Sequence, residues 1–309
     1  MRDFVILADN GCALEKNLRE RFHIEDVVLG NVFYPDGHSE KADLDWERST
    51  PEEYFGSMVD KKVIYKTSCP NIDEIKNMFI KYAKQGTDIL MITLSTGVSA
   101  IYGFALKAAE EVKAEYKDIK IEVIDSLRYS TSYGMELMYA SKLKEEGKSL
   151  EEVASWIKEN RNCFHQIGIM DDLFWLSRNG RISKAAAFMG NLIGVEPMAD
   201  FSDKGLAEVI GKGKGKRKSM QICLNYLKET IVDAKEQTVF ICHSLREKEA
   251  LLFKEMLEKE VGPKEIIIST VDQTCGANIG PGLAAMFYFG KPISADLVEE
   301  KKIMSGLLK

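Results

Sequence analysis

Ser95, Thr96, Gly97 and Ser99 stand between the apolar run Asp88-Ile89-Leu90-Met91-Ile92-Thr93 and a segment in which Ala105, Leu106, Ala108, Ala109 and Val112 recur at helical spacing. The run is rich in strand formers, so a strand passes through a hydroxyl-rich turn into a helix. The first N–H groups of such a helix lack internal partners and carry the positive end of its dipole. Together with the hydroxyls they offer several donors to one anion. A carboxylate or a phosphate suits them, and a plain helix cap by Ser95 or Thr96 accounts for the same residues.

Two more segments carry small donors. Asn10 follows the strand-like run Phe4-Val5-Ile6-Leu7-Ala8, and Thr67-Ser68 precede Cys69-Pro70-Asn71, where Asn71 and Glu74 form a capping pattern ahead of Ile72, Ile75, Phe79 and Tyr82. All three segments are expected at the carboxyl ends of one parallel sheet, the edge where open α/β sheets hold ligands. Such donors bind anions and are poor catalysts without a base. The nearby base candidate is Asp125, which a capping role beside Ser126 explains equally well. An enzyme reading, a phosphotransferase or hydrolase using Ser95 and Asp125 on a small carboxylate or phosphate, is the alternative. Against it, Gly211 to Ser219 has lysines without the spacing of a phosphate loop, and Gly97-Val98-Ser99-Ala100-Ile101 lacks the second glycine of a nucleophile elbow. Arg181, after Gly180, can pair with an anion or form a structural ion pair. Lys212, Lys214, Lys216, Arg217 and Lys218 can clamp a phosphate or an acidic partner, or simply decorate a solvated hairpin end.

Strands alternate with helices through the first half: Phe4 to Ala8, about Val27 to Tyr34, Val63 to Tyr65, Asp88 to Thr93 and Ile119 to Ile124. That order predicts a doubly wound parallel sheet over residues 1–162. Residues 163–309 read as a second α/β domain. It opens on Phe164 to Met170, includes a hairpin about Asp203-Lys204-Gly205, a helix from about Ser219 and a glycine-rich loop over Thr274 to Gly282, and ends on the apolar strand Leu283 to Phe289. A length of 309 residues suits two domains, and a net charge of −6 argues against nucleic-acid partners. No run approaches the length of a membrane span and no signal peptide is evident, so a cytoplasmic protein is expected. Six scattered cysteines and four histidines without ligand spacing point to reduced thiols and no metal.

Several segments resemble the DegV family of bacterial fatty-acid-binding proteins, over nearly the whole chain. Thr67-Ser68-Cys69-Pro70 is similar to the family's T-S-Q-P loop, and Leu94-Ser95-Thr96-Gly97-Val98-Ser99 to its S-S-x-L-S-G segment. Val123-Ile124-Asp125-Ser126 matches its D-S strand end, Leu176 to Ser183 its L-x-x-x-G-R-I segment, and Ile279-Gly280-Pro281-Gly282 its G-P-G loop. Each piece is weak alone; the ordered set is specific.

The resemblance implies an α/β fold with a doubly wound parallel-sheet N-terminal domain plus a smaller α/β C-terminal domain, and a long-chain fatty acid with its carboxylate between them. Thr67, Ser68, Ser95, Thr96, Gly97 and Asn278 would hold the carboxylate. Ile169, Phe174, Phe188, Met189, Leu192 and Ile193 would line a tunnel for the tail, and Arg181, Lys216 and Arg217 would face a phosphate or a kinase. The implied role is not catalytic: the protein would take a fatty acid from a membrane surface and present it to a separate fatty acid kinase, with no cofactor beyond the bound lipid. This chain departs from the family in Asn278 for a histidine, Cys69 for glutamine, Asn10 for serine, Thr96 for the second serine, and Ala100-Ile101 for glycine and a hydroxyl residue. Asn278 can donate a hydrogen bond but cannot carry a histidine's charge.

Overall fold

Segments buried along their whole length, such as Phe4–Asp9 and Asp88–Thr93, belong to central strands with both faces covered. The computed structural model describes residues 3–171, 173–182 and 194–309. The chain divides into two units. Met1–Glu47, Tyr65–Arg161 and Asp272–Thr274 form the first, and Arg48–Ile64, Asn162–Val271 and Cys275–Lys309 the second.

The strands of the first unit are β1 (Phe4–Asp9), β2 (Ile24–Val28), β3 (Asn31–Phe33), β4 (Ser39–Lys41), β5 (Lys66–Ser68), β6 (Asp88–Thr93) and β7 (Ile121–Asp125). Four of them form a parallel sheet in the order β2-β1-β6-β7. Alternation sends Val5, Leu7, Ile89, Met91, Ile121 and Val123 to one face, where they share a core with Ile75, Phe79, Ala105 and Val112 of the helices Ile72–Ala83 and Ile101–Glu115. The helices Thr131–Glu145 and Leu150–Asn160 also pack on these strands, and alternation leaves Ile6, Leu90 and Ile92 for the opposite face. The sheet is therefore wound on both sides, as expected. From β1 the chain first adds β2 on one flank and later β6 on the other. The strand order thus reverses between β1 and β6, and the carboxyl ends of strands at such a reversal are where open α/β sheets hold ligands.

Three sequence expectations are corrected here. The single strand about Val27 to Tyr34 is two, β2 and β3, because the chain turns at Leu29-Gly30 and leaves the parallel sheet. The extended segment near Val63 falls slightly later, at β5, and pairs antiparallel with β3 in a small sheet of order β4-β3-β5. Thr67 and Ser68 thus lie on a strand of that small sheet and not at an end of the parallel one. One helix start was more legible: Asn71 with Glu74 closes the expected reciprocal capping box, and Thr50 with Glu53 and Ser149 with Glu152 close two others.

In the second unit β8 (Phe164–Met170), β9 (Val195–Phe201), β10 (Ala207–Lys214), β11 (Thr238–His243), β12 (Glu265–Thr270) and β13 (Leu283–Phe289) make two sheets. The larger has the order β12-β11-β13-β8, with β11 and β12 parallel and β13 antiparallel to β11 and β8. The smaller is the β9–β10 hairpin, whose tight turn at Ser202 to Gly205 has Gly205 at φ +76°. Lys212 and Lys214 belong to β10, and Lys216, Arg217 and Lys218 open the helix Lys216–Thr230, three residues earlier than Ser219. The expected loop over Thr274 to Gly282 contains a helix, Gln273–Ile279. Glycine at 276 admits a close packing there, since a Cβ would stand 2.7 Å from the Phe55 ring.

A buried polar network ties the second unit together. Asp200 Oδ2 lies 2.6 Å from His165 Nδ1 and accepts from the Tyr226 hydroxyl at 2.8 Å, while Oδ1 accepts from the Gln166 and Phe201 N–H groups at 3.0 and 2.7 Å. The other ring nitrogen of His165 donates to the Lys291 carbonyl, 2.7 Å away. No helix among the described residues is long and apolar enough to cross a membrane.

Candidate anion-binding site

At the carboxyl ends of β1 and β6, beside the strand-order reversal, the chain puts a carboxylate first. Asp9 is buried, and its two oxygens are divided between two loops: Oδ1 accepts from Gly11 N–H at 2.8 Å and Oδ2 from Leu94 N–H at 2.7 Å. Burial, with the negative charge of Asp272 adding to it, pushes the Asp9 carboxyl up to about 6 against the pull of those two N–H groups. Its own N–H donates to the Tyr133 hydroxyl at 3.0 Å, which donates to the Ile92 carbonyl at 2.5 Å.

Asn10 extends the framework. Its Oδ1 accepts from Gly30 N–H at 2.7 Å and its amide donates to the Thr274 hydroxyl. Gly30 in turn lies against β5, so closely that a Cβ would stand 2.2 Å from the Ser68 carbonyl oxygen. Asn31 pairs with Ser68 across the β3–β5 ladder, and its side-chain amide reaches Ser68 Oγ at 3.3 Å. Thr67 and Ser68 are therefore positioned relative to Asn10 through Gly30, although they stand on a different sheet.

The Leu94 to Ala100 loop is more ordered than a simple cap. Ser95 is buried; its N–H donates to the Arg128 carbonyl at 2.9 Å and its Oγ accepts from Gly97 N–H at 3.0 Å. Thr96 gives both donors to Asp125, N–H to Oδ1 at 3.1 Å and hydroxyl to Oδ2 at 2.5 Å. The helix begins only at Ile101, with Ala100 in the capping position and no side-chain cap. The capping reading of Ser95 and Thr96 is corrected: they fold the loop, and the helix starts after it. Asp125, the base candidate of the enzyme alternative, has its oxygens engaged with Thr96 and with Leu127 N–H at 3.1 Å.

A further segment at this edge, 126–132, escaped the sequence reading. Ser126 Oγ donates to the Arg128 carbonyl at 2.8 Å, and Leu127 and Ser130 both sit at φ 54°, a backbone region costly for residues other than glycine. Ser130 Oγ, Thr131 Oγ1 and Ser132 Oγ are buried and meet no protein partner. The signal was a dense run of hydroxyls after a strand end.

The remaining expected site residues lie in the second unit. Asn278 is half-buried in the helix Gln273–Ile279. Arg181 donates to the Asn179 carbonyl. Lys216 Nζ is 3.4 Å from Asp171 and 3.3 Å from Glu249, so its charge is already matched. Arg217 is exposed and lines a 580 Å³ groove with Leu252, Met256 and Lys259. Ile169 is buried on β8, and Phe174 is half-buried, its ring centroid 4.7 Å from Lys61 Nζ and 5.8 Å from Arg178 Cζ. Phe188, Met189, Leu192 and Ile193 lie outside the described residues.

Comparison with known proteins gives the family of the chain. The family model described as "Uncharacterised protein, DegV family" matches residues 3–291. A DegV domain-containing protein of Clostridium perfringens is 32% identical over 290 residues, 94% of this chain and 98% of its own. Among solved structures, a DegV lipid-binding protein of Thermotoga maritima is similar at 25% identity and a TM-score of 0.78, covering 94% of this chain and 100% of that one. A DegV family protein of Thermus thermophilus, described for its fatty acid binding, has a TM-score of 0.83 at 24% identity, with the same coverage of 94% and 100%. The B3 protein of the Streptococcus pneumoniae fatty acid kinase, loaded with linoleic acid, has a TM-score of 0.77 at 21% identity, again covering 94% and 100%. By its family match and by its identity to the clostridial relative along nearly its full length, this chain belongs to the DegV family.

Proposed function

We propose that this protein binds a long-chain fatty acid without acting on it chemically, and presents the carboxylate to a separate fatty acid kinase. The observation that carries the reading is the set of donor-bearing loops at the strand-order reversal of the first unit, braced from beneath by Asp9 and Asn10. In this reading the hydroxyls of Thr67, Ser68 and Ser95 receive the carboxylate there, while Thr96 and Gly97 hold the loop folded through Asp125 and Ser95. The apolar tail is assigned to the second unit, with Ile169 and Phe174 as described candidates for its lining. Burying about 16 carbons at about 0.8 kcal/mol per methylene supplies on the order of 10 kcal/mol, so the tail sets affinity and the loops set orientation. Support for a lipid comes from the relatives whose descriptions name lipid or fatty acid binding, and for a kinase from the pneumococcal B3 protein. Arg181 and Arg217 are the cations assigned to the kinase or its phosphate, with Lys216 beside them. A cytoplasmic location and brief membrane contact follow from the same reading.

Mass spectrometry of the purified protein, first native and then denatured, tests it. A stoichiometric mass released on denaturation and identified as a fatty acid is expected. A clean apo mass with no uptake of added fatty acid rules the reading out.

A further inference from the structure

We propose that Asp9 is the positioning residue of the anion site: its carboxylate holds the Asn10-Gly11 and Leu94 to Gly97 loops in the one mutual arrangement that binds a charged head group. This deepens the fatty-acid reading above and rests on it. The geometry is specific. One oxygen takes the N–H that starts the first loop and the other takes the N–H that starts the second, at 2.8 and 2.7 Å, where the strand order reverses. Leu94 immediately precedes Ser95, whose N–H and Oγ are both committed to folding the loop, so a shift of Leu94 is passed to Ser95, Thr96 and Gly97. Gly11 is as tightly placed, since a Cβ there would stand 2.8 Å from the Leu94 side chain.

The ionised form is required because both oxygens already face N–H donors. A proton on either one displaces a backbone donor and loosens one loop from the other. Of the groups around it, burial and the negative charge of Asp272 favour that proton, the Tyr133 hydroxyl is already engaged with the Ile92 carbonyl, and the thiols of Cys12 and Cys69 are neutral, Cys12 being pushed up to about 12 by burial. Asp9 titrates at about 6, so the arrangement is complete at neutral pH and is lost on mild acidification.

The test uses two probes of equal tail length, hexadecyl sulfate, which stays anionic throughout, and hexadecan-1-ol, which is never charged. Hexadecyl sulfate is expected to bind the unsubstituted protein about tenfold more weakly at about pH 5 than at about pH 7.5, while the alcohol changes by less than about threefold. Asp9→Asn is expected to bind the sulfate about tenfold more weakly at about pH 7.5, with a flat pH profile and little change for the alcohol. Amide exchange at Leu94 and Gly11 is expected to quicken in the variant. A variant that keeps the original pH profile, or that loses sulfate and alcohol binding equally, overturns the positioning role and leaves the lipid-binding reading intact. Failure of the unsubstituted protein to bind either probe, or fatty acid, overturns both.

Discussion

Two of the buried carboxylates, one in each unit, are treated in opposite ways. Asp200 in the second unit accepts from two backbone N–H groups and a tyrosine and is paired with His165, all within regular strands and a helix. Asp9 in the first unit has two loop N–H groups and a neighbouring negative charge. A carboxylate saturated with partners on rigid elements is part of the framework. One shared by two loops at a sheet edge, and held at a cost, marks where the fold gives up stability to fix a geometry.

The comparison predicts opposite stability outcomes for the two residues. Asp200→Ala should cost about 3–5 kcal/mol in urea unfolding, because His165 and Tyr226 are left buried without their acceptor. Retention of near-native stability would show that the network is replaceable. Asp9→Asn should go the other way. The folded protein holds the Asp9 proton more tightly than the unfolded chain, so stability is greatest below the ordinary value of 3.8 and falls as pH rises to about 6. Removing the charge relieves about 3 kcal/mol near pH 8, and the Asn amide, which must face one of the two backbone N–H donors, takes back about 1–3, so Asp9→Asn is expected to be more stable there by up to about 2 kcal/mol. Thermal unfolding near pH 8 and again near pH 4, where the gain should vanish, checks the sign. A variant destabilised at both would make Asp9 a second Asp200.

Two smaller substitutions separate binding from folding within the first unit. Ser95→Ala removes the acceptor of Gly97 N–H and should weaken fatty-acid binding by about tenfold in a titration, with little loss of stability. Asn71→Ala opens the capping box of the helix Ile72–Ala83 and should cost about 1 kcal/mol in denaturant unfolding while leaving fatty-acid affinity unchanged. Equal effects of the two on affinity would mean that the loops are held by the packing of that helix and not by their own hydrogen bonds.

What the sequence revealed and concealed follows from range. β1 and β6 were legible as continuous apolar runs, and Asn71 with Glu74 as a cap, because those signals are local. β5 was misplaced because its partner is fixed by the approach of Gly30 to Ser68, which no window of sequence contains. The helix Gln273–Ile279 was read as a loop because Gly276, Gly280 and Gly282 look like punctuation, whereas Gly276 is there to admit Phe55. At the site, the donor residues were legible and their duties were not. Thr96 and Ser95 spend hydrogen bonds on Asp125 and Gly97, partnerships visible only once the loop is folded. The duty of Asp9 was hidden for the same reason, since its two bonds join Gly11 to Leu94, far apart in the chain.

The amide that joins Asn10 to Thr274 bears on the order in which the protein is made. Synthesis delivers the amino-terminal residues first, and domains commonly fold as they emerge. Here the first unit includes Asp272–Thr274, so the parallel sheet can assemble early while Asn10 waits for a residue 264 positions further along the chain. The edge proposed to take the carboxylate is therefore completed only after the segment Asn162–Val271 of the second unit has been made.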